Sequence, residues 1–127
     1  MKGQWKNIYS ADLSLRSWWI DSGNECEYVS IVLPEVFGIN NWIKSFSEKL
    51  AAQNLPVLAI PLYGRTAPNL DLGYSEDDLK LGRHHKNLTT LKNIIEDISA
   101  AINWVKEKYP KKKIAISGFC FGGHAAL

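Results

Sequence analysis

The chain has 127 residues, a length that suits one domain with a hydrophobic core. Hydrophobic residues make up 46% and charged residues 22%, which excludes an intrinsically disordered chain. The net charge of +2 gives no electrostatic reason to expect nucleic-acid binding, and no apolar run reaches the roughly 20 residues of a membrane span. The two cysteines form no C-x-x-C pair, so we expect neither a metal site nor a cofactor.

The N-terminal segment MKGQWKNIYSADLSLRSWW has neither a long apolar core nor a small-residue cleavage site. It therefore does not have the pattern of a secretory signal peptide. We expect the protein in the cytoplasm, where thiols stay reduced.

Apolar runs predict the strands. Residues 13–20 have the composition of a strand and are followed by a turn. Residues 28–33, YVSIVL, form a near-continuous apolar run typical of a strand buried on both faces of a parallel sheet. Two further short runs, 56–60 and 113–117, predict a second and a third buried strand.

Two helices are predicted between these strands. The first is capped by Asn40 or Asn41, and its apolar residues recur every four positions. Residues 61–80 are expected to be irregular, and long irregular loops in compact domains are usually functional or mobile. The second helix spans 87–108, with one apolar stripe. The two stripes are Trp42, Phe46 and Leu50, and Leu88, Leu91, Ile94 or Ile95, Ile98, Ile102 and Val105.

The order of these elements predicts the fold class. Strand and helix alternate along the chain, which is typical of an α/β domain with a parallel sheet and helices on both faces. The connections between parallel strands are expected to be right-handed.

Residues 117–123, SGFCFGG, directly follow the last predicted strand. Gly118, Cys120 and Gly122 have the spacing of a nucleophile elbow, a sharp strand-to-helix turn in which glycines permit close packing. Ligands bind at the carboxyl ends of parallel strands, and the N–H groups of a following helix favour a thiolate. An inert buried cysteine is the alternative. The context favours a nucleophile, with the N–H of Phe121 placed to hold an oxyanion.

Two charged residues fall at the same end of the sheet. Glu35 is either a solvated or salt-bridged acid at a strand end, or a group that faces the Cys120 thiol and tunes its protonation. Arg65 is either a solvated loop residue or a clamp for a substrate carboxylate, which the planar guanidinium suits.

The other titratable residues have plainer interpretations. His84 and His85 are expected to be a solvated pair in a loop, with a role in a substrate loop as the alternative. His124 follows the candidate nucleophile by one helical turn, and its side chain would lie along the helix, which makes it a poor base. Glu96 and Asp97 fall in the middle of a predicted helix and are expected to be surface charges.

Three separated segments, LPEVFGIN, PLYGRTAPN and GFCFGGHAAL, together resemble the dienelactone hydrolase family. The resemblance runs from about residue 28 to 127. It implies the three-layer α/β-hydrolase fold and a carboxymethylenebutenolidase-like enzyme with a Cys-His-Asp triad. Such an enzyme hydrolyses a small lactone or carboxylic ester that bears a carboxylate, as dienelactone does.

The resemblance also implies a role for each matching position. Cys120 matches the nucleophile, and Glu35 matches a glutamate that contacts the resting thiol and helps to activate it. The backbone N–H groups of Val36 and Phe121 match the oxyanion hole. Arg65 matches an arginine that binds the substrate carboxylate.

The sequence departs from the family pattern in two respects. Pro61 stands where family members often carry Asp, and only seven residues follow Cys120, whereas the family's triad acid and His lie well beyond the nucleophile. We therefore expect residues 1–127 to be a single domain that is the N-terminal part of an α/β-hydrolase domain, truncated after the elbow. The alternative is an incomplete or non-catalytic chain that pairs with another chain through an open sheet edge.

Overall fold

The structure, a computed structural model, describes residues 3–10, 13–22, 27–34, 37–63 and 70–118. Within these ranges the chain forms strands and helices in the order predicted for an α/β domain. They are β1 Gln4–Ser10, β2 Leu13–Ile20, β3 Tyr28–Leu33, α1 Asn41–Ala51, β4 Val57–Ala59, α2 Glu76–Leu88, α3 Leu91–Lys108 and β5 Lys113–Gly118.

The strands form one sheet in the order β1-β2-β4-β3-β5. Strand β3 pairs in parallel with β4 on one side and with β5 on the other, so that Ile31 lies opposite both Leu58 and Ile116. This confirms the predicted parallel core. Strands β1 and β2 add an antiparallel hairpin, and β2 pairs antiparallel with β4. The sequence did not predict β1, because its side chains are largely polar and exposed, as suits an edge strand.

Both faces of β3 are buried, and each face belongs to a different hydrophobic core. Val29, Ile31 and Leu33 belong to the core that α3 covers, through Ala101 and Val105. Val32 points the other way, into the core that α1 covers. The alternation of side chains along a strand produces this division, and it explains why the run YVSIVL contains apolar residues at odd and even positions alike.

The two crossover connections lie on opposite faces of the sheet. The chain moves one way across the sheet from β3 through α1 to β4, and the opposite way from β4 through α2 and α3 to β5. Because both crossovers from one parallel strand to another are right-handed, this reversal places α1 and α3 on opposite faces. Because β3, β4 and β5 are parallel, their carboxyl ends lie at one edge of the sheet.

The second predicted helix differs from the structure at its start. The prediction of irregular structure through residue 80 was wrong, because α2 begins at Glu76 behind Ser75, whose Oγ accepts a hydrogen bond from the N–H of Asp78. The predicted helix 87–108 is broken before α3, where the Thr90 hydroxyl accepts from the N–H of Asn93. Two local caps thus outweigh the continuous helical pattern. No helix among the described residues is long and apolar enough to span a bilayer.

The buried faces of the helices also differ from the predicted stripes. In α3 the predicted Ile94 and Val105 are buried, and Ile98 and Ile102 pack against the core, but small and polar residues share the buried faces. The residues buried in α1 are Ile43, Ser47 and Ala51, whereas Trp42 is 45% exposed. The residues buried in α3 are Ile94, Asp97, Ala101 and Val105, whereas Leu91 and Ile95 are exposed. The prediction that Asp97 is a surface charge was therefore wrong.

Strand β5 is less buried than predicted. Within the described residues it pairs only with β3, and Ile116 remains 37% exposed. Its apolar side chains therefore lie at an edge of the described sheet, in contrast to those of β3.

Trp19 provides a test of the core beneath α3. It is 1% exposed and packs edge-to-face against Trp104, with ring centroids 5.0 Å apart. We expect Trp19→Ala to lower the free energy of unfolding by about 3–5 kcal/mol, because truncation leaves a large cavity. Trp42→Ala, at an exposed position, should change it by about 0.5 kcal/mol. Denaturant unfolding of both variants measures the difference, and equal effects would contradict the core position of Trp19.

Candidate functional site

Five residues predicted for the site lie outside the described residues. They are Glu35, Val36, Arg65, Cys120 and Phe121. The structure describes the chain on both sides of the first three, and as far as Gly118 before the last two. The described flanks therefore carry the geometry of the candidate site.

The carboxyl ends of β3 and β5 lie side by side. In the parallel register Leu33 is opposite Gly118, the last paired residues of the two strands. Glu35 and Cys120 each follow these residues by two positions in the sequence. The segments after β3 and β5 therefore leave the sheet at the same level, on neighbouring strands. Each predicted functional residue follows the end of its strand by the same number of residues.

Gly38 fixes the path of the chain after β3. Its φ of +80° is in the left-handed region, and an added Cβ would lie 2.2 Å from the carbonyl oxygen of Leu70. Gly38 also forms an isolated antiparallel bridge with Asp71. Only glycine tolerates both the backbone conformation and this close approach. The segment after β3 is thereby held against the segment that precedes α2.

Asn40 joins the same two segments through its side chain. Its Oδ1 accepts a hydrogen bond of 3.2 Å from the N–H of Ile43 and caps α1. Its Nδ2 donates to the carbonyl oxygen of Leu72 at 3.0 Å and to the hydroxyl of Tyr74 at 3.4 Å. The Tyr74 ring packs edge-to-face on Phe37, with centroids 4.6 Å apart. We call Phe37, Asn40, Leu72 and Tyr74 the clasp.

The chain after β4 enters the core at Leu62 and Tyr63, which are 2% and 3% exposed. Burial raises the pKa of the Tyr63 hydroxyl well above its usual value, so this phenol is uncharged at neutral pH. Its ring lies 6.3 Å from that of His85, measured between centroids. The chain after β4 therefore places a neutral, buried aromatic ring beside α2.

The two histidines lie on α2 rather than in a loop, so the loop prediction was wrong. His84 is exposed and His85 is half-buried. Burial, followed by the charge of His84, lowers the pKa of His85. His85 therefore presents an uncharged imidazole at neutral pH.

A groove of about 530 Å³ lies elsewhere on the molecule, between β1 and α3. In the sheet, β1 and β5 are at opposite ends of the strand order. Two strands separate β1 from β3 and three separate it from β5, so the groove is distant from the ends of β3 and β5, where Glu35 and Cys120 are predicted to meet. Among the described residues, no group of three His, Cys, Asp or Glu side chains is arranged to hold a metal ion.

The sequence and the fold of the chain were compared with those of known proteins. The sequence profile of the dienelactone hydrolase family matches residues 20–127. The chain belongs to the dienelactone hydrolase family. It is 32% identical over 97 residues to a Synechocystis protein assigned as a carboxymethylenebutenolidase, in a match that covers 75% of this chain and 39% of that relative.

Solved structures of family-like proteins share the fold. One is a protein from Klebsiella pneumoniae assigned as a dienelactone hydrolase, with a TM-score of 0.78 and 20% identity over 96% of this chain and 51% of that one. Another is an α-β serine hydrolase homologue from Coxiella burnetii, with a TM-score of 0.67 and 18% identity over 99% and 56% of the two chains. The described elements thus have the α/β-hydrolase fold, and the chain spans about half the length of these neighbours.

Sequence reasoning missed the clasp and the Tyr63–His85 contact. Asn40 or Asn41 was predicted to cap α1, and the structure shows that Asn40 is the cap. Its second role was not visible, because the partners Leu72 and Tyr74 are more than thirty residues away in a stretch without periodicity. The aromatic residues at positions 37 and 74 are the one available signal, since such rings usually find partners.

The clasp predicts different outcomes for two substitutions of one residue. We expect Asn40→Ala to lower the free energy of unfolding by about 1 kcal/mol through the lost cap and by a similar amount through the unpaired Leu72 carbonyl. Asn40→Asp keeps the capping oxygen and loses only the amide donor, so it should cost about half as much. Equal midpoints of the two variants in denaturant unfolding would contradict the clasp.

Proposed function

We propose that this family member is a cysteine hydrolase that cleaves a small lactone or carboxylic ester through a thiol acyl-enzyme. The observation that carries the proposal is the parallel register of Leu33 with Gly118. It supports a pairing of Glu35 with Cys120, because each residue follows its registered strand end by two positions. The family membership and the elbow spacing around Cys120 support the same assignment.

The reaction begins when the Cys120 thiolate attacks the ester carbonyl carbon and the carbonyl π electrons move to oxygen. The backbone N–H groups of Val36 and Phe121 donate to this oxyanion. The intermediate then collapses, the C–O bond of the ester breaks, and the leaving oxygen takes a proton as the thioester remains. Water attacks the thioester, releasing the carboxylic acid and restoring the thiol.

Glu35 contacts the Cys120 thiol in the resting enzyme and accepts its proton when the substrate arrives. The position of Glu35 depends on the chain that follows β3, and contacts of Gly38 and Asn40 hold this chain in place. The acid and His of the triad come, by the family resemblance, from sequence beyond the elbow. We infer a cytoplasmic site of action, because a thiol nucleophile needs a reducing compartment.

The proposed substrate bears a carboxylate near the scissile bond. By the family resemblance Arg65 binds this carboxylate, and it follows the buried Tyr63 by two residues in the sequence.

The nucleophile assignment is tested with the two cysteines of the chain. In the natural full-length protein, Cys120→Ala should lower ester turnover by about a thousandfold or more, because the acyl-enzyme no longer forms. Cys26→Ala is the matched control and should retain turnover. Mass spectrometry of protein quenched during turnover should show the acyl adduct on the peptide with Cys120. Full activity of Cys120→Ala would contradict the assignment of Cys120 as the nucleophile.

The carboxylate clamp is tested with a pair of esters that differ only in a carboxylate. Arg65→Ala should raise KM about tenfold for the acidic ester, since a charge-assisted hydrogen bond contributes about 1.5–3 kcal/mol. For the neutral ester KM should not change. Identical KM changes for the two esters would remove Arg65 from the substrate site.

A further inference from the structure

The groove between β1 and α3, with a volume of about 530 Å³, has no part in the proposed mechanism. All the residues that line it are among those that the structure describes. Two of its large side chains remain in contact with water, Tyr9 at 70% and Ile95 at 55% exposed. Exposed apolar side chains around a concave surface are typical of an interaction site. The groove is therefore a candidate docking surface.

One continuous face of α3 forms the helical side of this groove. Its residues recur at spacings of three and four positions, so they lie above one another along about three turns of the helix. They are Ile95, Glu96, Ser99, Ala100, Asn103, Trp104 and Glu107. The two smallest, Ser99 and Ala100, stand at the middle of the series. Because the side chains at a contact set the distance between packed helices, this middle position permits the close approach of a second helix.

The pattern of this face is two-fold symmetric. Consider a second copy of α3 that lies antiparallel to the first, with Ala100 of one copy opposite Ser99 of the other. Four positions from this centre, the apolar Ile95 then lies opposite the apolar Trp104. A two-fold interface requires such self-complementarity, since both copies contribute the same surface. The face thus fits a second copy of itself.

The charged residues at the two ends of this face are complementary in the same arrangement. Lys92 lies two helical turns before Ser99, and Glu107 lies two turns after Ala100. Both charged side chains are exposed. The antiparallel arrangement therefore places Lys92 of each copy opposite Glu107 of the other. A parallel arrangement in register would instead bring like charges together, which disfavours it.

We propose that the groove between β1 and α3 is the interface of a two-fold symmetric dimer, in which α3 of one copy docks antiparallel against α3 of the other. Ile95, Trp104 and Tyr9 supply the apolar contact. The two Lys92–Glu107 ion pairs set the orientation, because electrostatic complementarity contributes more to specificity than to affinity. The groove and β5 are at opposite ends of the strand order. The interface therefore includes none of the residues proposed for the reaction, and it does not depend on the proposed function.

Charge reversal in the natural full-length protein tests the arrangement. The unmodified protein should sediment as a dimer at micromolar concentrations in analytical ultracentrifugation. Lys92→Glu and Glu107→Lys should each raise the dissociation constant of the dimer about tenfold or more, because each converts two ion pairs into two like-charge contacts. An equimolar mixture of the two variants should recover the dimer, since both contacts in the mixed dimer again join an acidic and a basic side chain.

Matched controls separate this contact from a general effect of charge. Lys80→Glu on α2 and Glu48→Lys on α1 make the same changes at exposed positions outside the groove, and both should leave the dimer intact. Ser99→Arg alters an exposed position at the centre of the interface and should dissociate the dimer, because two bulky cations would meet at the two-fold axis. Recovery of the dimer in the mixture also shows that both charge-reversal variants are folded.

Three results would overturn the proposal. The first is a protein that is monomeric at every concentration, and the groove would then belong to a different protein or to a small molecule. The second is a dimer that both single charge reversals leave intact, which would place the interface elsewhere. The third is a mixture of the two charge-reversal variants that stays monomeric, because the antiparallel arrangement requires them to pair.

Discussion

Strand β3 is buried on both faces and hydrogen-bonded along both edges. The positions of the neighbouring helices and strands follow from the need to cover its apolar side chains. Val29, Ile31, Val32 and Leu33 are each completely excluded from solvent. Burying an aliphatic side chain contributes about 1.5–3 kcal/mol, so this one strand supports two cores at once. Helix α1 and helix α3 cover opposite faces, and β4 and β5 flank the strand in parallel.

The same strand determines where the chemistry is placed. Because β3 and β5 are registered up to Leu33 and Gly118, the segments that follow them start from adjacent points. Contacts with the residues before α2 restrict the segment after β3. Gly38 lies against the Leu70 carbonyl, and the Asn40 side chain donates a hydrogen bond to the Leu72 carbonyl. Catalytic groups on loops gain their precision from such anchoring. The family resemblance and the described scaffold thus lead to the same edge of the sheet.

The sequence was most informative where one physical effect dominated. The doubly buried strand at 28–33 was predicted with its true bounds, because only apolar residues fit such an environment. The cap of α1 was predicted to within one residue, at Asn40 or Asn41, because few side chains cap a helix, and it is Asn40. The parallel order of strands followed from the alternation of elements, and the matching motifs indicated the family.

The remainder depended on tertiary contacts that a pattern does not contain. The break between α2 and α3 is decided by the Thr90 cap within an otherwise helical run. Apolar periodicity favoured Leu91 and left Ile94 or Ile95 open, whereas the structure buries Ile94 and Asp97 and exposes Leu91 and Ile95. Residues Glu35, Val36, Arg65, Cys120 and Phe121 lie outside the described residues, so their roles stay predictions.

The edge-to-face pair of Trp19 and Trp104 has a spectroscopic consequence. The rings belong to β2 and α3, and their centroids are 5.0 Å apart with an interplanar angle of 77°. Two indoles this close and this steeply inclined couple their electronic transitions, which gives circular dichroism bands of opposite sign. The contribution of this pair exists only while α3 is seated on the sheet, and the Trp5–Trp18 pair within the β1–β2 hairpin, also 5.0 Å apart, adds a separate contribution. The molecule therefore contains an intrinsic optical reporter of the docking of the helix that carries Asp97, readable without substrate and without an added label.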